Sequence, residues 1–252
     1  MFLNENELEV IESRIEFIDI LSQLMHFKSN IPELTKVYED KKQNFIESIN
    51  KHSNKTRAQI IKEAELAQTN RRINGLPLLI YQMTLIHAVT YFDVFLSKIT
   101  TLLLKSFWQS LKTKTKNLTY EELLSFDSIE DIKNNLIKKE VEVLGRQSIK
   151  ERIEYLEKKF NLNFKYVSVN EKNGLFFNEI VEIYSARNLI IHNNSIVNET
   201  YLKLNSASNY KLGENLKIDA SYLTNSLHRL LKACHEITNV SVKKINENYK
   251  DN

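Results

Sequence analysis

Between Leu78 and Phe107 the chain is apolar nearly all round, with Leu79, Ile80, Leu85, Ile86, Val89, Phe92, Phe95, Leu96, Ile99, Leu102, Leu103 and Leu104 covering every helical face. A helix with no polar side must be enclosed by other elements. The uncharged run from Ile73 to Phe92 approaches the length of a membrane span. It also carries Asn74, Gly75, Pro77, Gln82, Thr84, His87 and Thr90 and leads into Asp93 and Lys98, which fits a buried central helix better. What surrounds that helix is helical too. Only 4 Gly and 2 Pro occur in 252 residues, so the turn chemistry of an all-β or doubly wound fold is nearly absent. The fold class is all-α.

Upstream, Leu8, Ile11, Ile15, Ile18 and Met25 form a narrow helical seam. Asn30-Ile31-Pro32 is expected to end that helix, because proline disfavours helical geometry in the residue before it. A second helix through Val37 and Ile49 and a third through Ile60 and Ala67 divide near His52-Ser-Asn-Lys55. Gly75 and Pro77 then mark the best boundary, giving an amino-terminal helical segment at 1–74 and a larger helical domain at 75–252.

Downstream, Thr119-Tyr-Glu-Glu122 has capping-box spacing, Asp127-Ser-Ile-Glu130 opens a longer helix that Gly145 closes, and Ser148–Phe160 is amphipathic. Phe164–Val169 suits a short extended piece. A helix is expected at Leu175–Asn193 and a last one at Ser221–Ile245. Between them Tyr210–Ile218 alternates around Gly213 as a small β-hairpin would.

The helix at 175–193 breaks the apolar pattern. At ~3.6 residues per turn, Ile180, Ile183, Arg187, Ile190 and Ile191 share a stripe. An arginine there costs several kcal/mol unless a carboxylate, a phosphate or a partner surface meets it. Asp93 interrupts the stripe of Ile86, Val89, Leu96 and Thr100 in the same way. The two charges are therefore expected to meet between packed helices; the alternative is that Asp93 lies at a helix edge in water. Asn188 and His192 stand four residues apart on an adjoining face.

Other chemistries find little support. His228 and His235 lack a local acid to complete a metal site. Cys234 and His235 point about 100° apart, which excludes a nucleophile–base pair. No glycine-rich loop offers a phosphate cradle, and no cofactor is expected. A net charge of +3 is neutral on nucleic acid. Lys112, Lys114 and Lys116 beyond Trp108 form a candidate RNA-facing strip, or else a plain solvated loop. Acids near the amino terminus and a single cysteine point away from a signal peptide and toward a reducing cytoplasm.

Arg187-Asn188-Leu-Ile-Ile-His192 resembles the signature of the HEPN superfamily, an Arg followed by four to six residues and a His, often with Asn directly after the Arg. Asn193, the downstream Ile196–Glu199, Tyr201, the glycine near position 213 and the final helix resemble the flanks found in bacterial members. The resemblance covers roughly 75 to 244. It implies a helical bundle that homodimerises so that two motif helices face each other, and a metal-independent endoribonuclease in a toxin–antitoxin or antiviral defence setting. His192 would then be the general acid or base, Arg187 would hold the scissile phosphate, and Asn188 would orient one or the other. Asp93, Asn193 and Tyr201 would support them. RNA is the implied substrate, with an antitoxin or defence protein as a further partner and no membrane association. Some family toxins carry Tyr two residues after the His, where this chain has Asn194, so regulation by nucleotidylation of that position is not implied. A silent RNA- or nucleotide-binding module of the same superfamily and a purely structural helical adaptor are the alternatives.

Overall fold

The computed structural model describes residues 5–50, 57–112, 118–165, 167 and 174–250. Two long helices dominate it: α1 (Glu5–Asn50) and α2 (Arg57–Ser106). After a 3-10 turn at Trp108–Leu111 come α3 (Tyr120–Leu124), α4 (Ile129–Gly145), α5 (Ile149–Phe160), α6 (Gly174–Asn193), α7 (Glu199–Leu204) and α8 (Ala220–Lys250). The all-α class holds, with no strand among the described residues.

The carboxyl-terminal part of α2 is the axis of the bundle, packed by α1, α4, α6 and α8. Leu85, Val89, Phe92, Leu96, Ile99 and Leu103 are buried along it and meet Leu223, Leu227, Leu230 and Ile237 of α8 in one core. From α1, Val10, Phe17 and Leu21 enter the same core. Phe17 lies 5.5 Å from Phe92 and 5.6 Å from Phe95 between ring centroids. The Pro77–Ser106 stretch has the length and composition of a membrane span; one face of it supplies the interior of a helical bundle, while Leu78, Leu79, Met83 and Val94 stay exposed, so the helix is not enclosed on every side as expected.

Two expected helix breaks do not occur. Helix α1 runs through Pro32, an interior proline that costs about 3 kcal/mol. Contacts just before the proline hold it in line: Ile31 is buried, and Lys28 Nζ donates to Thr224 Oγ1 of α8. Helix α2 likewise runs across Gly75 and Pro77, so the backbone has no break at the proposed 74/75 boundary. The division near His52–Lys55 falls outside the described residues.

Local signals read better around the shorter helices. Thr119 and Ser148 form capping boxes with Glu122 and Glu151, and Ser128 caps α4. The hairpin expected within 204–219 is not formed. Instead Ile196 makes a lone antiparallel bridge with Asn215, and Val197 N donates to Glu214 O while Gly213 N donates to Val197 O. Gly213 keeps its turn role with φ of +84°. The described part of the Phe164–Val169 piece is irregular. There the amides of Lys165 and Val167 donate to the Glu236 carboxylate at 2.5 and 2.9 Å.

Candidate functional site

Helix α6 lies antiparallel to α2. Arg187 meets Asp93, while eight residues on, Ser195 Oγ accepts from Gln82 Nε2 at 2.9 Å. The buried stripe of α6 is Phe177, Ile180, Ile183, Ala186 and Leu189. Ile191 is 46% exposed, which corrects its expected place in that stripe. Arg187 sits at the edge of the stripe, half-buried, and the burial anomaly is resolved by charge.

Asp93 is the hub. Arg187 Nη2 donates to its Oδ2 at 3.1 Å, Arg152 Nη1 to its Oδ1 at 2.5 Å, and the Tyr184 hydroxyl to the same Oδ1 at 2.7 Å. Arg152 Nη2 also donates to the Asp93 backbone carbonyl at 3.2 Å. The charges that the sequence put in two apolar stripes therefore do meet. A second arginine joins them, and Arg152 is only 6% exposed. One carboxylate between two guanidiniums leaves one positive charge in excess, and Arg187 is the more exposed of the two arginines. Burial and the neighbouring Asp93 carboxylate push the Tyr184 phenol well above its usual range, so it stays a donor.

Of Arg187's remaining groups, Nη1 donates to Asn188 Oδ1 at 3.1 Å, and Nε is buried without a hydrogen-bond partner among the described residues. Each Nη carries a second hydrogen that these bonds leave free for an anion. Asn188 and His192 are both exposed. The Asn188 carbonyl is bound to the guanidinium, which makes it an orienter of Arg187. The carboxyl end of α6 is closed by two consecutive left-handed residues, Asn194 (φ 49°) and Ser195 (φ 62°). Asn193 Nδ2 bonds the Ile196 carbonyl across that turn, so Asn193 shapes the backbone behind His192.

Tyr201 is not part of this cluster. It is buried on the other side of α6, where its hydroxyl donates to Glu182. Lys112 is exposed with its ammonium 5.3 Å from the Trp108 ring centroid, a face that Lys133 shares at 4.7 Å. Lys114 and Lys116 lie outside the described residues.

Sequence reasoning missed Arg152 and Tyr184. Arg152 had the same signal that exposed Arg187, since it falls in the α5 stripe of Ile149, Ile153, Leu156 and Phe160, all buried with it.

No family model, curated protein or solved structure matches the chain. What the site can do rests on its own geometry. Among the described residues no three His, Cys, Asp or Glu side chains come together as metal ligands. Cys234 is fully buried, and burial pushes its thiol up to about 12, which leaves it no nucleophilic role near neutral pH.

Proposed function

We propose that the protein is a HEPN-type endoribonuclease that acts as a homodimer, with Arg187, Asn188 and His192 of two protomers composing the site. The observation that carries this reading is the clamped but incompletely used Arg187. Asp93 and Asn188 fix its guanidinium while the cluster keeps one positive charge in excess, and Asn188, its neighbour, stands one helical turn before the exposed His192. A guanidinium held this way accepts a phosphate without losing further side-chain entropy, and it stabilises the charge that develops during cleavage.

In this mechanism Arg187 binds the scissile phosphate. His192 takes the proton of the ribose 2′-hydroxyl or delivers one to the leaving 5′-oxygen. The internal attack leaves a 2′,3′-cyclic phosphate. Apolar surface at the same end of the molecule supports the dimer. Leu79 and Met83 on α2 and Ile191 and Ile196 beside His192 are 41 to 52% exposed, in a place where the Gln82–Ser195 bond holds α2 against the end of α6. A defence or toxin role, with a cognate partner protein, follows from the same resemblance.

The test is cleavage of total RNA in EDTA by the purified protein beside His192→Ala and Arg187→Ala. The wild type should yield cyclic-phosphate ends, and each variant should lose at least about 10²-fold. Mixing the two inactive variants should restore part of the activity if protomers share a site. Equal cleavage by wild type and His192→Ala, or none by either, removes the assignment. Binding of RNA without cleavage would favour a silent module, a role with which Asn188's bond to Arg187 rather than to His192 is compatible.

A further inference from the structure

A cavity of about 530 Å³ opens on the other side of α6 from Asp93, between that helix, α7, the following loop and α8. The Glu182 carboxylate lines it. Its Oε1 accepts from the Tyr201 hydroxyl at 2.8 Å and its Oε2 from the Tyr222 hydroxyl at 2.7 Å. Both donors are neutral. No Lys or Arg among the described residues forms an ion pair with Glu182. The nearby arginine of the cavity, Arg229, is paired with Glu179. The lining thus holds two carboxylates against one guanidinium, one negative charge in excess. Withdrawal from water raises the Glu182 carboxyl above the usual carboxylate range, opposed by the two tyrosine hydroxyls and by the charge of Arg229.

From this geometry we infer that the cavity binds a guanidinium-bearing organic cation, with Glu182 as its counter-ion. A carboxylate offers about four acceptor positions on its two oxygens. The two tyrosines take one on each, which leaves one on each for a pair of parallel N–H donors. A guanidinium presents such a fork, and the bidentate pair is among the stronger charge-assisted contacts. Tyr210 in the cavity wall supplies a ring face for a cation, and the side chains of Asn178 and Asn225 supply polar contacts for the rest of the ligand. The volume admits a guanidinium with a chain of several carbons. The excess negative charge disfavours phosphates. The site is independent of the proposed nuclease centre, because neither the Asp93–Arg152–Arg187 cluster nor Asn188 or His192 lines the cavity.

The experiment is calorimetric titration of the full chain with agmatine, L-arginine, a short arginine-containing peptide and guanosine. Agmatine, arginine or the peptide should bind; peptide binding tighter than agmatine identifies a protein side chain as the source, the reverse a free small molecule. Glu182→Gln should weaken binding at least about tenfold, while His192→Ala should bind as wild type does. Should Glu182→Gln fail to fold, judged by circular dichroism, Tyr210→Leu takes its place and should weaken agmatine several-fold. Absence of binding by all three guanidinium probes at millimolar concentration overturns the inference. So does wild-type affinity in a folded Glu182→Gln, or in Tyr210→Leu where that variant stands in, and so does guanosine binding without agmatine binding.

Discussion

Asp93 of α2, on one side of α6, and Glu182 of α6 itself, on the other, are held in opposite ways. Asp93 is gripped by two guanidiniums and one tyrosine, Glu182 by two tyrosines alone. Both are removed from much of the solvent, so the difference is not one of depth. It lies in the charge of the direct partners: Asp93 with its two arginines sums to one positive charge, Glu182 with its two tyrosines to one negative. The same helix therefore carries an anion-seeking face and a cation-seeking face. Helix α6 contributes Tyr184 and Arg187 to the first and Glu182 to the second, at positions that the ~3.6-residue turn separates.

The largest expected effect comes from Asp93→Ala. It strands the buried Arg152 guanidinium and loosens Arg187, and breaking such a buried pair from one side costs about 3–5 kcal/mol. Urea unfolding should show the loss. Arg187→Ala should cost far less, because Asp93 keeps Arg152 and Arg187 reaches solvent, while RNA cleavage should fall with it. In a double-mutant cycle Asp93 and Arg187 should couple by about 0.5–3 kcal/mol. Strict additivity would mean that Arg152 alone neutralises Asp93 and that Arg187 is not clamped.

The Asp93 face was readable in the sequence and the Glu182 face was not, for a physical reason. Arg187 and Asp93 each interrupt an apolar helical stripe, and a charge in a stripe demands a partner of opposite sign. Arg152 gave the same signal between Ile149 and Ile153 and was passed over because the α5 pattern read as an ordinary amphipathic helix. Glu182 interrupts no stripe. Its partners Tyr201 and Tyr222 come from two other helices, and only tertiary packing brings their hydroxyls to it. The bounds of α4, α5 and α6 were legible from caps and periodicity, whereas Pro32, Gly75 and Pro77 misled. At Pro32 contacts such as Ile31 in its buried position and Lys28 on Thr224 outweigh local propensity.

The same substitution on the two faces sharpens the contrast. Tyr222→Phe removes one of only two donors from Glu182 and should cost about 1.5–3 kcal/mol, the range for hydrogen bonds to charged groups. Tyr184→Phe takes a donor from Asp93, which keeps both arginines, so about 1 kcal/mol is expected. Equal losses in paired thermal melts would break the claim that the two carboxylates are differently compensated.

The smallest effect should come from Glu182→Gln, and its dependence on pH matters more than its size. Desolvation is the leading cause that raises Glu182's pKa in the folded protein, opposed by the two tyrosine hydroxyls and by Arg229. A group whose folded pKa lies above its unfolded value binds protons more tightly when folded, so its favourable contribution exists at low pH and disappears as pH rises through the folded pKa. Wild-type stability should therefore decline relative to Glu182→Gln as pH climbs from the ordinary carboxylate range through the raised value, and the difference should level off above it. Unfolding curves of both proteins across that interval measure it. Agmatine, at one concentration for both, should lift the wild type more than Glu182→Gln, most at the high-pH end where Glu182 is ionised. A wild type that instead gains stability relative to Glu182→Gln with rising pH would show that the two tyrosines and Arg229 compensate the carboxylate fully. The asymmetry between the faces of α6 would then be gone.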